Sequence, residues 1–319
     1  MFFNYNIKSN LFLSYYEMIS DKNRNQFFYD ALQSCAKDKV VLDLGTGTGI
    51  LSHYALTAGA KFVYAVDLSK EATTAANSVL SNSFDRSRFK VINGNFWNES
   101  CYSHIDKQID VVVSETVGIG LFDQGMLSTW QLLKQFIKNE NLISIPEQLS
   151  VDLWFFENPN DITFCDLAPE SSITDDDVID ARYFASLSKV DALLESKGKV
   201  PNLLKTKPAL IKGSPTKIIE NVIRYSYDLL PAFNNDEHSA FKIVPKVSTE
   251  LFVDSPSIIV LVHKLSFRDN TLYLMDAKKM PWRYCPSFIV GKTGNFTLSF
   301  DYAHRDSFLD TGWNLKFNS

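Results

Sequence analysis

The sequence predicts an α/β fold in which N-terminal helices and a parallel sheet are followed by a β-barrel-like domain with a helical arm insertion. Between residues 40 and 146, apolar runs of strand length alternate with helical segments, which is typical of a parallel sheet with right-handed connections. After about Val244, short β-rich runs are separated by turn residues, which indicates a small antiparallel sheet or barrel. We therefore expect helices at 1–39, a sheet domain at 40–146 and a β-rich domain at 147–319, with the arm at about 158–199.

The N-terminal region has the pattern of two helices. Phe12, Tyr16 and Ile19 recur at helical spacing, as on the buried face of a helix. Asp21 is of the residue type that begins helices, because its carboxylate can accept a backbone N–H of the first turn. The second helix is predicted from Lys22 to Cys35.

A glycine-rich turn opens the sheet domain. Val40 to Leu44 is a mostly apolar run, as expected of a strand buried on both faces. Gly45, Gly47 and Gly49 follow at once, and glycine permits a tight bend and the close approach of a ligand. Asp67 ends the next apolar run, where a carboxylate can accept hydrogen bonds from ribose hydroxyls. Since ligands of such sheets bind beyond the carboxyl ends of the strands, the pattern predicts a site for a nucleotide-type ligand.

The remaining elements of the sheet domain follow the same alternation of strand and helix. The loop after the fourth predicted strand begins with Ser114-Glu115 and contains glycine. The predicted elements are a helix at 70–80, strands at 89–92 and 109–113, a helix at 126–136 and an exit strand at 142–146.

The pattern changes after Pro146. Val151 to Phe156 is strand-like, acidic and polar sequence occupies 158–180, and Ala181 to Ser196 has a helical pattern. The predicted β-rich runs of the last part are 257–262, 271–275, 287–290, 295–302 and 313–317.

Composition excludes several classes of function. The net charge of −5 and the pI near 5.6 give no electrostatic reason to expect nucleic acid as a partner. The four cysteines are far apart and form no C-x-x-C pair, which argues against a metal site and fits a reducing compartment. No apolar stretch approaches the roughly 18 residues of a membrane span, and the first residues make a poor signal peptide. We expect a cytoplasmic protein with no membrane partner.

The spacing of the glycines distinguishes between cofactors. In a dinucleotide fingerprint, G-x-G-x-x-G, the third glycine would stand at Ile50. Here it comes one residue early, at Gly49, and Asp43 lies just before the turn. This spacing resembles the first motif of the class I S-adenosylmethionine (SAM) methyltransferases, whose cofactor domain is Rossmann-like.

The order of the parts makes the resemblance more specific. Helices, a SAM-type domain and a β-rich half interrupted by a helical insertion are similar to the protein arginine methyltransferases along nearly the whole chain. The matching segments are Met18 to Arg24 (family pattern M-L-x-D-x-x-R), Val41 to Asp67, Asn93 to Trp97, and Ser114 to Leu127 (S-E-x-x-G-x-x-L-x-x-E-x-M-L).

The resemblance implies roles for individual residues. Met18 would lie near the sulfonium, Arg24 would pair with the SAM carboxylate, and Asp67 would hold the ribose where the family usually has glutamate. The cofactor-binding residues implied are Met18, Arg24, Asp43, Gly45, Thr46, Gly47, Gly49, Asp67, Leu68, Asn95, Phe96 and Glu115. The catalytic residues implied are Glu115, Gln124 and Trp282, with a guanidine of a protein or small molecule as acceptor and a homodimer as the assembly.

Two departures from the family pattern concern the acceptor. The second glutamate of the loop is Gln124 here, and the late T-H-W tripeptide is replaced by Met280-Pro281-Trp282. Loss of one carboxylate removes a charge-assisted hydrogen bond of roughly 1.5–3 kcal/mol, which is about one to two powers of ten in rate or binding.

Three alternatives therefore stay open from the sequence. The first is a catalytically altered SAM-binding scaffold protein, and the second is a methyltransferase that acts on a non-guanidine small molecule. The third is a nicotinamide-dependent oxidoreductase, against which the early third glycine and the β-rich second half argue.

Overall fold

Two compact units make up the part of the chain that the computed structural model describes. The first unit contains residues 18–115 and 136–146, and the second contains residues 116–135 and those from 147 onward. The described residues are 18–117, 121, 126–157, 162–164, 209–211, 214–229, 247–255, 257–274, 287–290, 293–300 and 313–317.

A five-stranded parallel sheet forms the centre of the first unit, in the order β3-β2-β1-β4-β5. All five residues of its central strand are buried, as expected of a parallel sheet covered on both faces. The predicted α/β fold class is confirmed. The strands are β1 (Val40–Leu44), β2 (Phe62–Asp67), β3 (Phe89–Asn93), β4 (Val111–Ser114) and β5 (Ile143–Ile145).

Helices connect these strands. The helix α1 begins as predicted, because the Asp21 carboxylate accepts the backbone N–H of Arg24 at 3.0 Å. Ser69 does the same for the backbone N–H of Ala72 at 3.1 Å. Among the described residues, the helices of this unit are α1 (Lys22–Cys35), α2 (Ile50–Thr57), α3 (Lys70–Ser83), a 3₁₀ turn (Arg86–Arg88) and α4 (Glu99–Tyr102). The helix α5 (Met126–Phe136) belongs mainly to the second unit.

The glycine turn between β1 and α2 needs glycine for its backbone. Gly45, Gly47 and Gly49 have φ of 74°, 56° and 90°, in the left-handed region that other residues rarely adopt. A Cβ on Gly49 would also come within 3.2 Å of the Cβ of Ala76 on α3. The third glycine therefore permits the close packing of α2 against α3.

The order of the strands determines where a ligand can bind. From β1 the chain passes to β2 on one side and later to β4 on the other. Leu44 and Ser114, the last residues of β1 and β4, lie opposite each other, and the Ser114 hydroxyl donates to the Leu44 carbonyl at 2.8 Å. The carboxyl ends of β1 and β4 thus form the topological switch point, the usual ligand site of such sheets.

The second unit is antiparallel, as predicted. Its described strands form three separate sheets rather than one closed barrel: β12-β11-β6-β9 with β13 beside β11, β10-β14-β15, and β7-β8. The strands are β6 (Gln148–Phe156), β7 (Ile162–Phe164), β8 (Ala209–Ile211), β9 (Lys217–Ser226), β10 (Val247–Val253), β11 (Ser257–Phe267), β12 (Asn270–Tyr273), β13 (Ser287–Val290), β14 (Gly294–Phe300) and β15 (Trp313–Phe317).

The core of the second unit lies along β6 and β11. Val260 and Val262 on β11 pack with Phe156 and Ile258 in one buried apolar cluster. On α5, Trp130 is completely buried, and its ring meets the Tyr227 ring edge-on with the centroids 6.0 Å apart.

Some predictions fall outside the described residues. These include the first N-terminal helix before Met18 and, apart from β7, the arm at about 158–199. Within the described residues, no helix is long and apolar enough to cross a membrane.

Candidate active site

Functional side chains of the first unit follow the carboxyl ends of three neighbouring strands. Gly45 follows β1, Leu68 follows β2 and Glu115 follows β4. Since neighbouring parallel strands end at the same edge, these residues share one edge of the sheet. The backbone N–H of Gly47 donates to the Asp67 carboxylate at 2.9 Å, which ties the glycine turn to the end of β2.

Asp67 is held by backbone amides on both of its oxygens. Oδ2 accepts from Gly47, and Oδ1 accepts from the N–H of Ser69 at 2.9 Å. Burial raises the pKa of Asp67, while the amides of Ser69, Gly47 and Leu68 oppose this effect. Because a carboxylate oxygen has two lone pairs, each oxygen can still accept a further hydrogen bond.

Asp43 is completely buried beneath the turn. The hydroxyls of Thr46 and Ser52 both donate to its Oδ2 at 2.7 Å. Its Oδ1 is buried without a hydrogen-bond partner among the described residues. Burial raises the pKa of Asp43 to about 6, even though the two hydroxyls lower it.

Arg24 and Glu115 form a buried ion pair. The guanidinium directs both Nε, at 3.2 Å, and Nη2, at 2.7 Å, to the same oxygen of Glu115, Oε2. Both side chains are 4% exposed. Burial disfavours the charge of Arg24, but Glu115 and Asp21 more than compensate, so the pKa of Arg24 is raised. The sequence predicted separate ligands for these two residues, whereas the structure pairs them with each other.

Asn25 completes the surroundings of the guanidinium. Its Oδ1 accepts from Arg24 Nη1 at 3.0 Å, and its Nδ2 donates to the backbone carbonyl of Ile19 at 2.6 Å. Ile19 directly follows Met18, a residue that the resemblance places near the cofactor sulfur. One buried amide thus links Arg24 to the Met18–Ile19 segment.

Beside Asp67, the part of the sheet edge near β2 and β3 carries apolar and amide side chains. Leu68 is 61% exposed although it is apolar. Asn93 Nδ2 donates to the Leu68 carbonyl at 2.9 Å, and the Asn95 side chain accepts the N–H of Trp97 at 3.0 Å. Phe96 is buried against Trp97, with the ring centroids 5.2 Å apart. The hydrogen bond from Asn93 holds the backbone of Leu68, whose apolar side chain is exposed.

The structure brings most of the predicted residues to one sheet edge but leaves two untested. Gln124 and Trp282 lie outside the described residues, so their roles stay predictions. Among the described residues, no group of three or more acidic, histidine or cysteine side chains could hold a metal ion.

Sequence reasoning did not single out Asn25 and Ser52, which hold Arg24 and Asp43. The available signal was a polar residue on an otherwise buried helix face. Asn25 lies three residues before the buried Phe28 on α1, and Ser52 lies three and four residues before the buried Ala55 and Leu56 on α2, which is the spacing of one helix face.

Comparison with known proteins supports the resemblance. The family model described as ribosomal protein L11 methyltransferase (PrmA) matches residues 27–119. Protein arginine N-methyltransferase 9 of Xenopus laevis is 38% identical over 114 residues, which are 35% of this chain and 14% of that protein. Protein arginine N-methyltransferase 1 of Chlamydomonas reinhardtii is 40% identical over 116 residues, 35% of this chain and 32% of that protein. The matched regions therefore span less than a third of either relative.

Solved structures share the fold along nearly the whole chain. The crystal structure of PRMT6-SAH covers 96% of this chain and 99% of its own, with a TM-score of 0.62 and 14% identity. The Trypanosoma brucei PRMT1 enzyme-prozyme heterotetrameric complex with AdoHcy covers 96% of this chain and 93% of its own, with a TM-score of 0.55 and 17% identity. The predicted resemblance to protein arginine methyltransferases is confirmed at the level of the fold.

Proposed function

We propose that this chain is a SAM-dependent N-methyltransferase, similar to the protein arginine methyltransferases, that methylates a guanidine. The observation that carries the proposal is the buried ion pair between Arg24 on α1 and Glu115, which directly follows β4. The end of β4 lies beside the end of β1, where the glycine turn begins. A fixed cation and a fixed carboxylate suit a cofactor with a carboxylate and an acceptor with a positive charge. The similarity to arginine methyltransferases of Xenopus laevis and Chlamydomonas reinhardtii supports the same assignment.

The residues at the sheet edge fit SAM. Gly45 and Gly47 have positive φ and no Cβ in the turn that a ligand would approach. Each Asp67 oxygen keeps a lone pair for a ribose hydroxyl, and the unpartnered Oδ1 of Asp43 can accept an N–H donor. Leu68, exposed beside Asp67, offers an apolar contact for the adenine ring.

Arg24 and Glu115 have different tasks toward the ligands in this proposal. SAM supplies, when bound, an electrophilic methyl group on a positively charged sulfur. Glu115 and Asn25 occupy three of the five N–H donors of Arg24, and the remaining two can bind the carboxylate of the cofactor. Glu115 binds the acceptor by a charge-assisted hydrogen bond. Since a guanidinium has a pKa above 12, Glu115 contributes by alignment and charge rather than by removing a proton beforehand.

The proposed acceptor site includes two further residues, Gln124 and Trp282, whose roles are predicted from the sequence. Gln124 would hold the acceptor as a neutral hydrogen-bonding partner, and Trp282 would form one wall of the acceptor pocket. The guanidine can belong to a protein or to a small molecule such as free arginine. Intact-mass analysis of a panel of peptides and metabolites incubated with SAM identifies the acceptor, and a panel with no methylated product would contradict the proposed activity.

The first variant that tests the proposal is Glu115→Gln. Turnover should fall by about 10- to 100-fold because a charge-assisted hydrogen bond to the acceptor is lost. The affinity for S-adenosylhomocysteine should change much less, since a glutamine oxygen can still accept from Arg24. Turnover and calorimetric affinity are measured on the same preparation, and wild-type turnover in the variant would remove the catalytic assignment of Glu115.

Gln124→Glu distinguishes the acceptor classes. A second carboxylate should strengthen the binding of a cationic guanidine and lower its KM. With a neutral acceptor the added charge would be desolvated without a partner, and activity should fall. Gln124→Met serves as the matched control for a change of side chain without charge, and a rise in KM for Gln124→Glu with a guanidine acceptor would contradict the guanidine assignment.

We also propose a homodimer in the cytoplasm, built through the arm at about 158–199. The resemblance to a dimeric family motivates the assembly, and the four scattered cysteines fit a reducing compartment. Light scattering should give twice the chain mass for the intact protein and one chain mass after deletion of the arm. An intact chain that is monomeric and fully active would contradict the dimer.

A further inference from the structure

The side chain of Asn25 is the feature from which this inference starts. It is completely buried, with 0% of its surface exposed. Its oxygen accepts from Arg24 Nη1 at 3.0 Å while its nitrogen donates to the Ile19 carbonyl at 2.6 Å. Buried polar groups in proteins are nearly always hydrogen-bonded, and this amide uses both ends at once.

The contacts of Asn25 restrict the orientation of the Arg24 guanidinium. On one edge of the planar group, Asn25 Oδ1 accepts a hydrogen bond from Nη1. On the other edge, Glu115 Oε2 accepts hydrogen bonds from Nε and Nη2. The ring of Phe28 lies 5.4 Å from the guanidinium carbon. Because two edges of the guanidinium are hydrogen-bonded, the group cannot rotate about the Cδ–Nε bond without breaking at least one charge-assisted hydrogen bond.

The neutrality of Asn25 is as important as its shape. A carboxylate at this position could still accept from Nη1, but it could not donate to Ile19. It would also place a further negative charge beside Arg24, in addition to Glu115 and Asp21, and this charge would compete with any carboxylate that Arg24 binds. An amide fixes the guanidinium and leaves its charge available to other partners.

We propose that Asn25 is a positioning residue that orients Arg24 for the carboxylate of the cofactor. This inference rests on the proposed SAM-dependent function, and it assigns Asn25 no contact with the cofactor itself. Asn25 acts on ligand binding through Arg24, so its influence is restricted to ligands that carry a carboxylate.

Two ligands that differ in that carboxylate test the inference. S-adenosylhomocysteine has the amino acid group, and 5′-methylthioadenosine has the same adenosine and sulfur without it. Calorimetry is performed with both ligands on the wild type, Asn25→Ala, Asn25→Asp and Asn25→Ser. Gln26→Ala is the matched control, because Gln26 is the neighbouring amide on the exposed face of the same helix.

The expected result is selective. Asn25→Ala should weaken the binding of S-adenosylhomocysteine about tenfold, as expected for the loss of one hydrogen bond to a charged group. Asn25→Asp should weaken this binding further. Binding of 5′-methylthioadenosine should stay within about twofold in every variant, and Gln26→Ala should match the wild type for both ligands. The serine hydroxyl of Asn25→Ser can both donate and accept, so the affinity of this variant for S-adenosylhomocysteine should lie between those of the wild type and Asn25→Ala.

Other outcomes overturn the inference or the proposed function separately. An equal loss for both ligands would make Asn25 a purely structural residue, and no loss for either would remove its role altogether. If Asn25→Ala does not fold, Asn25→Ser and Asn25→Asp carry the same comparison. A wild-type protein that binds neither ligand would instead contradict the proposed SAM-dependent function, independently of Asn25.

Discussion

At the scale of single residues, the placement of Asp43 has a measurable cost. Its carboxylate is completely buried, and burial raises its pKa from 3.8 to about 6. The folded state therefore binds a proton more tightly than the unfolded state, which lowers the free energy of unfolding at any pH above about 6. At pH 7 this corresponds to about 2–3 kcal/mol, and the cost disappears as the pH falls through 6 towards 3.8.

Asp43→Asn should accordingly separate stability from ligand binding. At pH 7 the ligand-free variant should be about 1–3 kcal/mol more stable than the wild type, because no buried charge remains. Its affinity for SAM should fall, because the positively charged ligand loses a buried carboxylate. Urea unfolding at pH 7 and pH 4, together with calorimetry, checks both parts. A variant less stable than the wild type at pH 7 would contradict the argument.

The sequence identified the charged residues of the site but not their arrangement. Arg24, Asp43, Asp67 and Glu115 all stand at positions that a motif predicts. The pairing of Arg24 with Glu115 joins residues 91 positions apart, and no local pattern specifies such a contact. It forms only when the tertiary fold brings α1 next to the residue that follows β4.

At the scale of secondary-structure elements, a buried charged cluster joins three strands of the second unit. Lys264 on β11 contacts Asp152 on β6 at 2.6 Å, and the two side chains are 7% and 3% exposed. Asn221 on β9 donates its backbone N–H to Asp152 at 2.7 Å and accepts from Lys264 at 3.0 Å. These contacts coincide with an irregularity in the pairing of β6 with β9 between Val151 and Leu153.

Removal of one member of this pair should cost more than removal of both. Lys264→Met leaves a buried carboxylate and should lower the free energy of unfolding by about 3–5 kcal/mol. Lys264→Met combined with Asp152→Leu should recover most of that loss, since two apolar side chains replace two buried charges. Chemical denaturation of the single and double variants measures the coupling, and additive losses would contradict it.

The same irregularity explains why one strand could not be predicted. Most elements of the first unit were predicted to within a few residues, and α1, β1 and α5 have the predicted bounds. The strand β9 was not predicted. Asn221 has φ of 53° and interrupts the alternation of the strand, so that Ile218, Ile219, Val222 and Ile223 follow one another at a spacing closer to that of a helix.

At the scale of the whole molecule, the stabilities of the two units should change in opposite directions as the pH falls. In the first unit, the raised pKa of Asp43 means that stability is gained as the pH falls from 6 to 4. In the second unit, burial lowers the pKa of His263 from 6.5 to about 3. The unfolded state then binds a proton that the folded state does not. The free energy of unfolding of this unit should therefore fall by about 1.4 kcal/mol per pH unit between pH 6.5 and about 3.

Hydrogen exchange of separate peptides tests this difference. Between pH 6.5 and pH 5, protection of β11 should fall by about 2 kcal/mol after correction for intrinsic rates, while protection of β1 should not fall. His263→Leu should remove the pH dependence of β11, and Asp43→Asn should leave it unchanged. Equal pH dependence in His263→Leu and the wild type would assign the effect to other groups.

The contact between Trp130 and Tyr227 has a consequence for biosynthesis. The two rings are about 100 positions apart in the chain, and in the folded protein Trp130 is completely buried and contacts Tyr227. At about 5–20 residues per second, a ribosome needs about 5–20 s to make the intervening segment. Throughout that interval the nascent chain presents the apolar face of α5 without its later partner. Co-expression with a chaperone that binds exposed apolar segments should therefore raise the yield of soluble folded protein, and an unchanged yield would contradict this consequence.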